Sequence, residues 1–125
     1  MKNITKGQME VRISEEIVKF EKEFIGIGPI ETNTVIVEDA IFIRLKGVLT
    51  PAEVHVAKTP EGAELIKATR CQFLNGARDI LDKVVKRVTD CKIISLHSDI
   101  STKNGERVIV FILDNDLESK LKSRN

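Results

Sequence analysis

His97 and Asp99 are the pair in this chain whose types and spacing most invite acid–base chemistry. They alternate on one face of a predicted strand, so their side chains start about 6.5–7 Å apart. No motif fixes a serine or cysteine nucleophile beside them, and hydrogen bonding within the sheet or across a contact between copies accounts for them as well. A second constellation is cationic. Arg44 and Lys46 point from a strand toward a loop that ends at Thr50, where the free amides of a helix start and two cations can hold a small anion. A similar start at Thr59 has Arg70 two to three turns further along. Glu53 and Glu61 already place carboxylates in those first turns, and plain capping explains both sites. With two histidines and no HExxH spacing, no metal site is expected. Cys71 and Cys91 lack CxxC spacing and read as small buried hydrophobes. No residue is assigned as catalytic, and no cofactor is expected.

Composition narrows the classes further. The 125 residues carry a net charge of +1 with no block of like charge, which argues against an electrostatic nucleic-acid binder. There is no Trp or Tyr and there are five Phe, so base-stacking platforms are missing. No apolar run approaches the length of a membrane span, and MKNITKGQMEV has no apolar signal region. The reading is a single domain over residues 1–125, cytoplasmic, with no direct membrane span.

The elements that must position these residues follow from periodicity. Met9, Ile13, Ile17, Phe20 and Phe24 step as one helix face over about residues 8–24, and Gly26 to Pro29 stops it. That glycine pair closes a helix and leads into a strand, the reverse of a dinucleotide-binding loop. Ile30–Val37 and Ala40–Val48 read as strands joined at Glu38-Asp39. This turn puts Thr32, Thr34 and Ile36 beside Ile41, Ile43 and Leu45 on one face, with Glu31 opposite Lys46. Thr50-Pro51-Ala52-Glu53 is a capping box opening a short helix to about Lys58. Thr59-Pro60 then starts a long helix, Pro60 to Val88, of roughly 45 Å. Its apolar stripe is Ile66, Phe73, Ala77, Ile80, Leu81, Val84 and Val88. Asn75-Gly76 predicts a bend or a close backbone approach in its middle.

Lys92–Ile100 and Arg107–Leu113 read as a second hairpin turning at Asn104-Gly105, a type I′ signal. Leu96, Ser98 and Ile100 then share a face with Leu113, Phe111 and Ile109. Residues 116–125 read as a frayed terminal helix. The predicted fold is α+β and two-layered, an antiparallel four-stranded sheet from two hairpins packed on the long helix, in the order α-ββ-α-α-ββ-α. Val108, Val110 and Ile112 leave an apolar strip on the reverse face, which together with the overlong helix predicts a homodimer.

Several blocks carry a resemblance. They are Arg44 to Glu53, Gly26 to Pro29, Thr59 to Gly62, His97 to Thr102 and Glu106 to Phe111. Together they resemble the bacterial MpsC-type family over almost the whole chain. The family name associates it with a sodium-translocating, membrane-potential-generating system. The resemblance brings no catalytic or binding residues with it. One departure is that a glycine expected near Asp90-Cys91, at the end of the long helix, is absent. What the resemblance implies is a non-enzymatic accessory or regulatory protein, associated with a membrane sodium-translocating or inorganic-carbon system through a protein partner. The alternative from the residues is a small-anion binder or enzyme built on Arg44, the Thr50 helix start and His97.

Overall fold

Thr5 begins the first helix, α1 (Lys6–Phe24), in a box the sequence prints as Thr-x-x-Gln. The Thr5 hydroxyl accepts from the Gln8 amide, and the Gln8 side chain accepts from the Thr5 amide. The computed structural model describes residues 4–124. Met9, Ile13, Ile17 and Phe20 are buried as their spacing predicts, but Phe24 is exposed and Glu21 takes the next buried place. Strands β1 (Glu31–Val37) and β2 (Ala40–Lys46) form the first hairpin. Its register is the expected one, Glu31 opposite Lys46 and Val37 opposite Ala40, with Glu38 left-handed at φ 54° in the two-residue turn.

The short helix α2 (Pro51–Val56) starts at the Thr50–Glu53 box, and α3 (Pro60–Gly76) starts at Thr59. The Thr59 hydroxyl accepts from the Gly62 amide at 3.0 Å. Here α3 leans closely on the end of α2. A Cβ at position 62 would lie 1.7 Å from the Val56 carbonyl oxygen. Gly62→Ala must therefore push backbone against backbone, at an expected cost of about 2–3 kcal/mol. Gly76→Ala meets nothing within 4 Å and should gain about 0.4–1 kcal/mol. Urea unfolding of both variants, followed by far-UV circular dichroism, checks the contrast in sign.

The single helix expected over Pro60 to Val88 is divided. The chain breaks at Ala77, φ −93° and ψ 9°, and α4 (Arg78–Thr89) continues from there. Gly76 is the last residue of α3 rather than a site of close approach. The break also resets the buried stripe. Ile66, Arg70 and Leu74 are buried in α3, and Leu81, Val85 and Val88 in α4, while Ile80 is exposed. Asp90 ends α4 in the left-handed conformation, φ 61°, the place a glycine was expected to fill.

Strands β3 (Ile93–Ser101) and β4 (Glu106–Leu113) form the second hairpin. The predicted two-residue turn at Asn104-Gly105 is a four-residue loop, 102–105, in which the Gly105 amide bonds the Ser101 carbonyl at 2.9 Å and Gly105 sits at φ 64°. The register slips by two, so Leu96 faces Phe111 and Ile100 faces Arg107. An even slip leaves every side chain on its predicted face.

The sheet is antiparallel with order β1-β2-β4-β3. Its inner face, with Ile36, Ile41, Ile43, Leu45, Ile109 and Phe111 all buried, packs under α1, α3 and α4. The last helix, α5 (Leu117–Arg124), is docked rather than frayed. Leu117 and Leu121 are fully buried, and Glu118 accepts from the Glu38 amide at 2.9 Å, pinning the first hairpin turn.

Candidate functional site

Charge in the core is concentrated where four elements meet. Glu21 of α1, Arg70 of α3 and Arg107 of β4 are 1%, 2% and 1% exposed. Each occupies a position that the local period assigns to an apolar side chain. Glu21 follows Ile17 by one turn, Arg70 follows Ile66 by one turn, and Arg107 alternates with Ile109 and Phe111 on the inner sheet face.

Glu53, in the first turn of α2, reaches in from the edge. The Arg70 guanidinium donates to both of its oxygens, at 2.7 Å from Nε and 2.9 Å from Nη2. Arg70 Nη2 also donates to the Val48 carbonyl in the loop before α2. One oxygen of Glu53 accepts from the Thr50 amide at 2.9 Å as well. The Arg70 bonds are the main reason its carboxyl is held below the usual carboxylate range. This residue therefore closes a capping box and receives a planar guanidinium at once, and it fastens α2 to α3.

The other half of the cluster is loosely made. Glu21 lies 3.9 Å from Arg70 Nη1, too far for a hydrogen bond. Glu21 Oε2, Arg70 Nη1, and Arg107 Nε and Nη1 are buried with no hydrogen-bond partner among the described residues. Arg107 makes one bond, from Nη2 to the Arg70 carbonyl at 2.9 Å. Burial pushes the Glu21 carboxyl up against the pull of Arg107 and Arg70, and it pulls the Arg107 guanidinium down. Two cations and two carboxylates are gathered here in mutual compensation, facing one another.

The residues singled out for anion binding are not brought together. Arg44 lies on the outer sheet face and donates to Glu106 at 2.6 Å. Lys46 sits 3.9 Å from Glu31. The Thr50 hydroxyl is occupied by the Glu53 amide at 3.2 Å, and Arg70 is inside, on the other side of the sheet from Arg44. His97 and Asp99 share the outer face with separate partners. His97 Nε2 is 3.1 Å from the Ser95 hydroxyl, while Asp99 lies 3.6 Å from Lys67 and accepts from the Ile100 amide. Cys91 is buried as expected, but Cys71 is exposed. Among the described residues, no His, Cys, Asp and Glu are grouped to hold a metal ion.

The outer face itself is the larger surface feature. Val35, Val37 and Phe42 are exposed, and Val108, Val110 and Ile112 half-buried, on a side of the sheet that carries no helix among the described residues. In register, Val35, Phe42, Val110 and His97 form one row across all four strands, and Val37, Ala40, Ile112 and Ser95 the next. The paired charges of Arg44, Glu106, Lys46 and Glu31 fill the other end. The face is thus half apolar and half neutralised charge.

No helix among the described residues is long and apolar enough to cross a membrane. The chain is 41% identical over 118 residues to the uncharacterized protein YbcI of Bacillus subtilis (strain 168), covering 94% of this chain and 95% of that one. It is 32% identical over 108 residues to the uncharacterized protein YrhF of the same organism, covering 83% and 86%. No solved structure matches. Residues 5–115, which span every element from α1 to β4 and all four members of the buried charge cluster, match the family described as Na+-translocating membrane potential-generating system (MpsC), and the chain belongs to that family.

Proposed function

We propose that this chain is a single MpsC-type domain that acts by contact, as a non-enzymatic, cytoplasmic accessory or regulatory protein of a membrane sodium-translocating or inorganic-carbon system. The family's description supplies the sodium-translocating system. The observation that supports action by contact is the uncovered sheet face, where Val35, Val37, Phe42 and Val110 form a contiguous apolar patch rimmed by charge already paired within the chain. Such a patch marks an interaction surface in a folded chain. The buried cluster supports the same reading, since its charges are turned on one another and serve to join helices. A homodimer through this face is part of the proposal.

A photo-cross-linking residue placed at position 42 of the tagged chain, in native membranes, tests both contacts. The expected products are an integral membrane subunit of the system and a cross-linked dimer of the chain. Phe42→Asp, at an already exposed site, should leave the fold intact and abolish both. Recovery of no membrane protein under mild detergent removes the accessory reading. A mass that stays monomeric by light scattering at all concentrations removes the dimer.

A further inference from the structure

We propose that the open edge of β1, with the flank of α1 beside it, forms a groove that receives an extended, basic segment of a partner protein as an added strand. The inference goes beyond the accessory reading and does not rest on it. β1 is an edge strand, bonded among the described strands to β2. The Ile36 amide donates to Glu10 Oε2 of α1 at 2.8 Å, so that amide points away from β2. Because the antiparallel ladder alternates, the amides and carbonyls of Thr34 and Thr32 point the same way. Glu10 thus caps one end of the edge and leaves the rest open to pairing.

A groove of about 760 Å³ runs along these groups, with Val11 and Val18 of α1 on one wall and Ile30, Thr32 and Thr34 on the other. Val11 and Ile30 are exposed, so alternate side chains of an incoming strand meet apolar surface. Along Glu31–Val37 the edge has no Lys, no Pro and no bulge, and its cover is the flank of α1 that bonds it at Ile36. The opposite edge, β3, has an irregular register between Ile93 and Ser95.

Charge chooses the occupant. Glu10, Glu15, Glu16 and Glu31 line the groove against Lys19 alone. Glu16 is tied to Arg87 and Lys19, and Glu31 lies 3.9 Å from Lys46. Glu15 has no ion pair among the described residues and is exposed, and Glu10 spends one oxygen on Ile36. An entering segment that alternates Lys or Arg with aliphatic residues satisfies the carboxylates, the apolar wall and the bare backbone together. A neutral or acidic strand satisfies only the last two.

The probe is a nine-residue peptide alternating lysine and valine, titrated into the full chain at fixed ionic strength and followed by amide NMR. The Thr32 and Thr34 signals should shift saturably, and a glutamate–valine peptide should bind at least tenfold more weakly. Thr32→Pro removes an outward amide that β2 does not use, a place where an edge strand tolerates proline, and should weaken binding tenfold or more. Glu15→Lys, on an exposed helix position, should weaken it severalfold with an unchanged melting curve. It serves as the test should Thr32→Pro disturb the fold. The proposal is overturned if neither signal moves, if both peptides bind alike, or if the two variants bind as the parent does. It is also overturned if the same signals shift with protein concentration alone, because the occupant is then a second copy.

Discussion

Arg70→Met is expected to destabilise the chain by about 3–5 kcal/mol, the usual result of stripping one partner from a buried ion pair. For a chain of this length, that corresponds to a fall in melting temperature of roughly 10–20 °C. Three losses add up. The Val48 carbonyl loses its donor, Glu53 loses the two bonds that hold α2 to α3, and Glu21, 1% exposed, loses its nearer cation. Methionine fills a similar space, so the cavity contribution is small and the measured cost reports the charge. Arg70→Lys keeps the charge but not the planar fork, and one ammonium cannot serve both oxygens of Glu53 and the Val48 carbonyl. It should fall between the two. The chain has no Trp or Tyr, so urea unfolding is followed by far-UV circular dichroism. A loss below about 1 kcal/mol for Arg70→Met would mean that the cluster does not join the helices.

The elements were legible because their signals are local. Thr50-Pro51-Ala52-Glu53 and Thr59-Pro60 start helices wherever they stand, and both appear as capped starts in the structure. The alternation of Thr34, Ile36, Ile41, Ile43 and Leu45 fixed which side of the first hairpin is dry. What failed depends on geometry between elements. Asn104-Gly105 is a strong turn signal, yet the hairpin closes with four residues, because the ladder with β2 sets where β4 begins. The division at Ala77 was legible only as an expected disturbance near Gly76. A resumed helix keeps the same polar and apolar composition with its stripe rotated, which moved burial from Ile80 and Val84 to Val85, while Leu81 and Val88 are buried as expected. The buried cluster had a signal that a search for catalytic motifs passes over. Glu21, Arg70 and Arg107 are charged residues in apolar phase, each where the period demands a core side chain. The charge of Arg70 and its place after Thr59 suggest a bound anion, whereas its partner is the Glu53 carboxylate of the chain itself.

Arg107 and Glu21 supply the sharper test, because each leaves polar atoms unpaired. Removing either alone, as Arg107→Met or Glu21→Met, strands the opposite charge in the core and should cost about 3–5 kcal/mol. Removing both takes out a cation and a carboxylate together, along with the unpartnered Glu21 Oε2 and Arg107 Nε and Nη1. The double variant should therefore lie within about 1 kcal/mol of the parent or above it, since well-packed apolar replacements of buried ion pairs are often neutral or stabilising. A double-mutant cycle then returns a coupling of several kcal/mol, far outside the additivity of independent sites. The pH dependence reads the opposing force, burial, with a definite sign. Burial raises the Glu21 carboxyl in the folded state above its unfolded value of about 4.3. Its stabilising contribution is thus complete below that value and is lost as pH rises through the folded one. Glu53, held low by Arg70, runs the other way, its contribution present above the unfolded value and lost as pH falls through the folded one. Both glutamates titrate in the parent, so the difference between parent and Glu21→Met isolates the first. That difference should be most favourable to the parent in acid and should decline toward neutral pH. A double variant as unstable as the sum of the singles would show that Glu21 and Arg107 do not sense each other across the core, and a flat pH difference would show that burial does not raise the Glu21 carboxyl above its unfolded value.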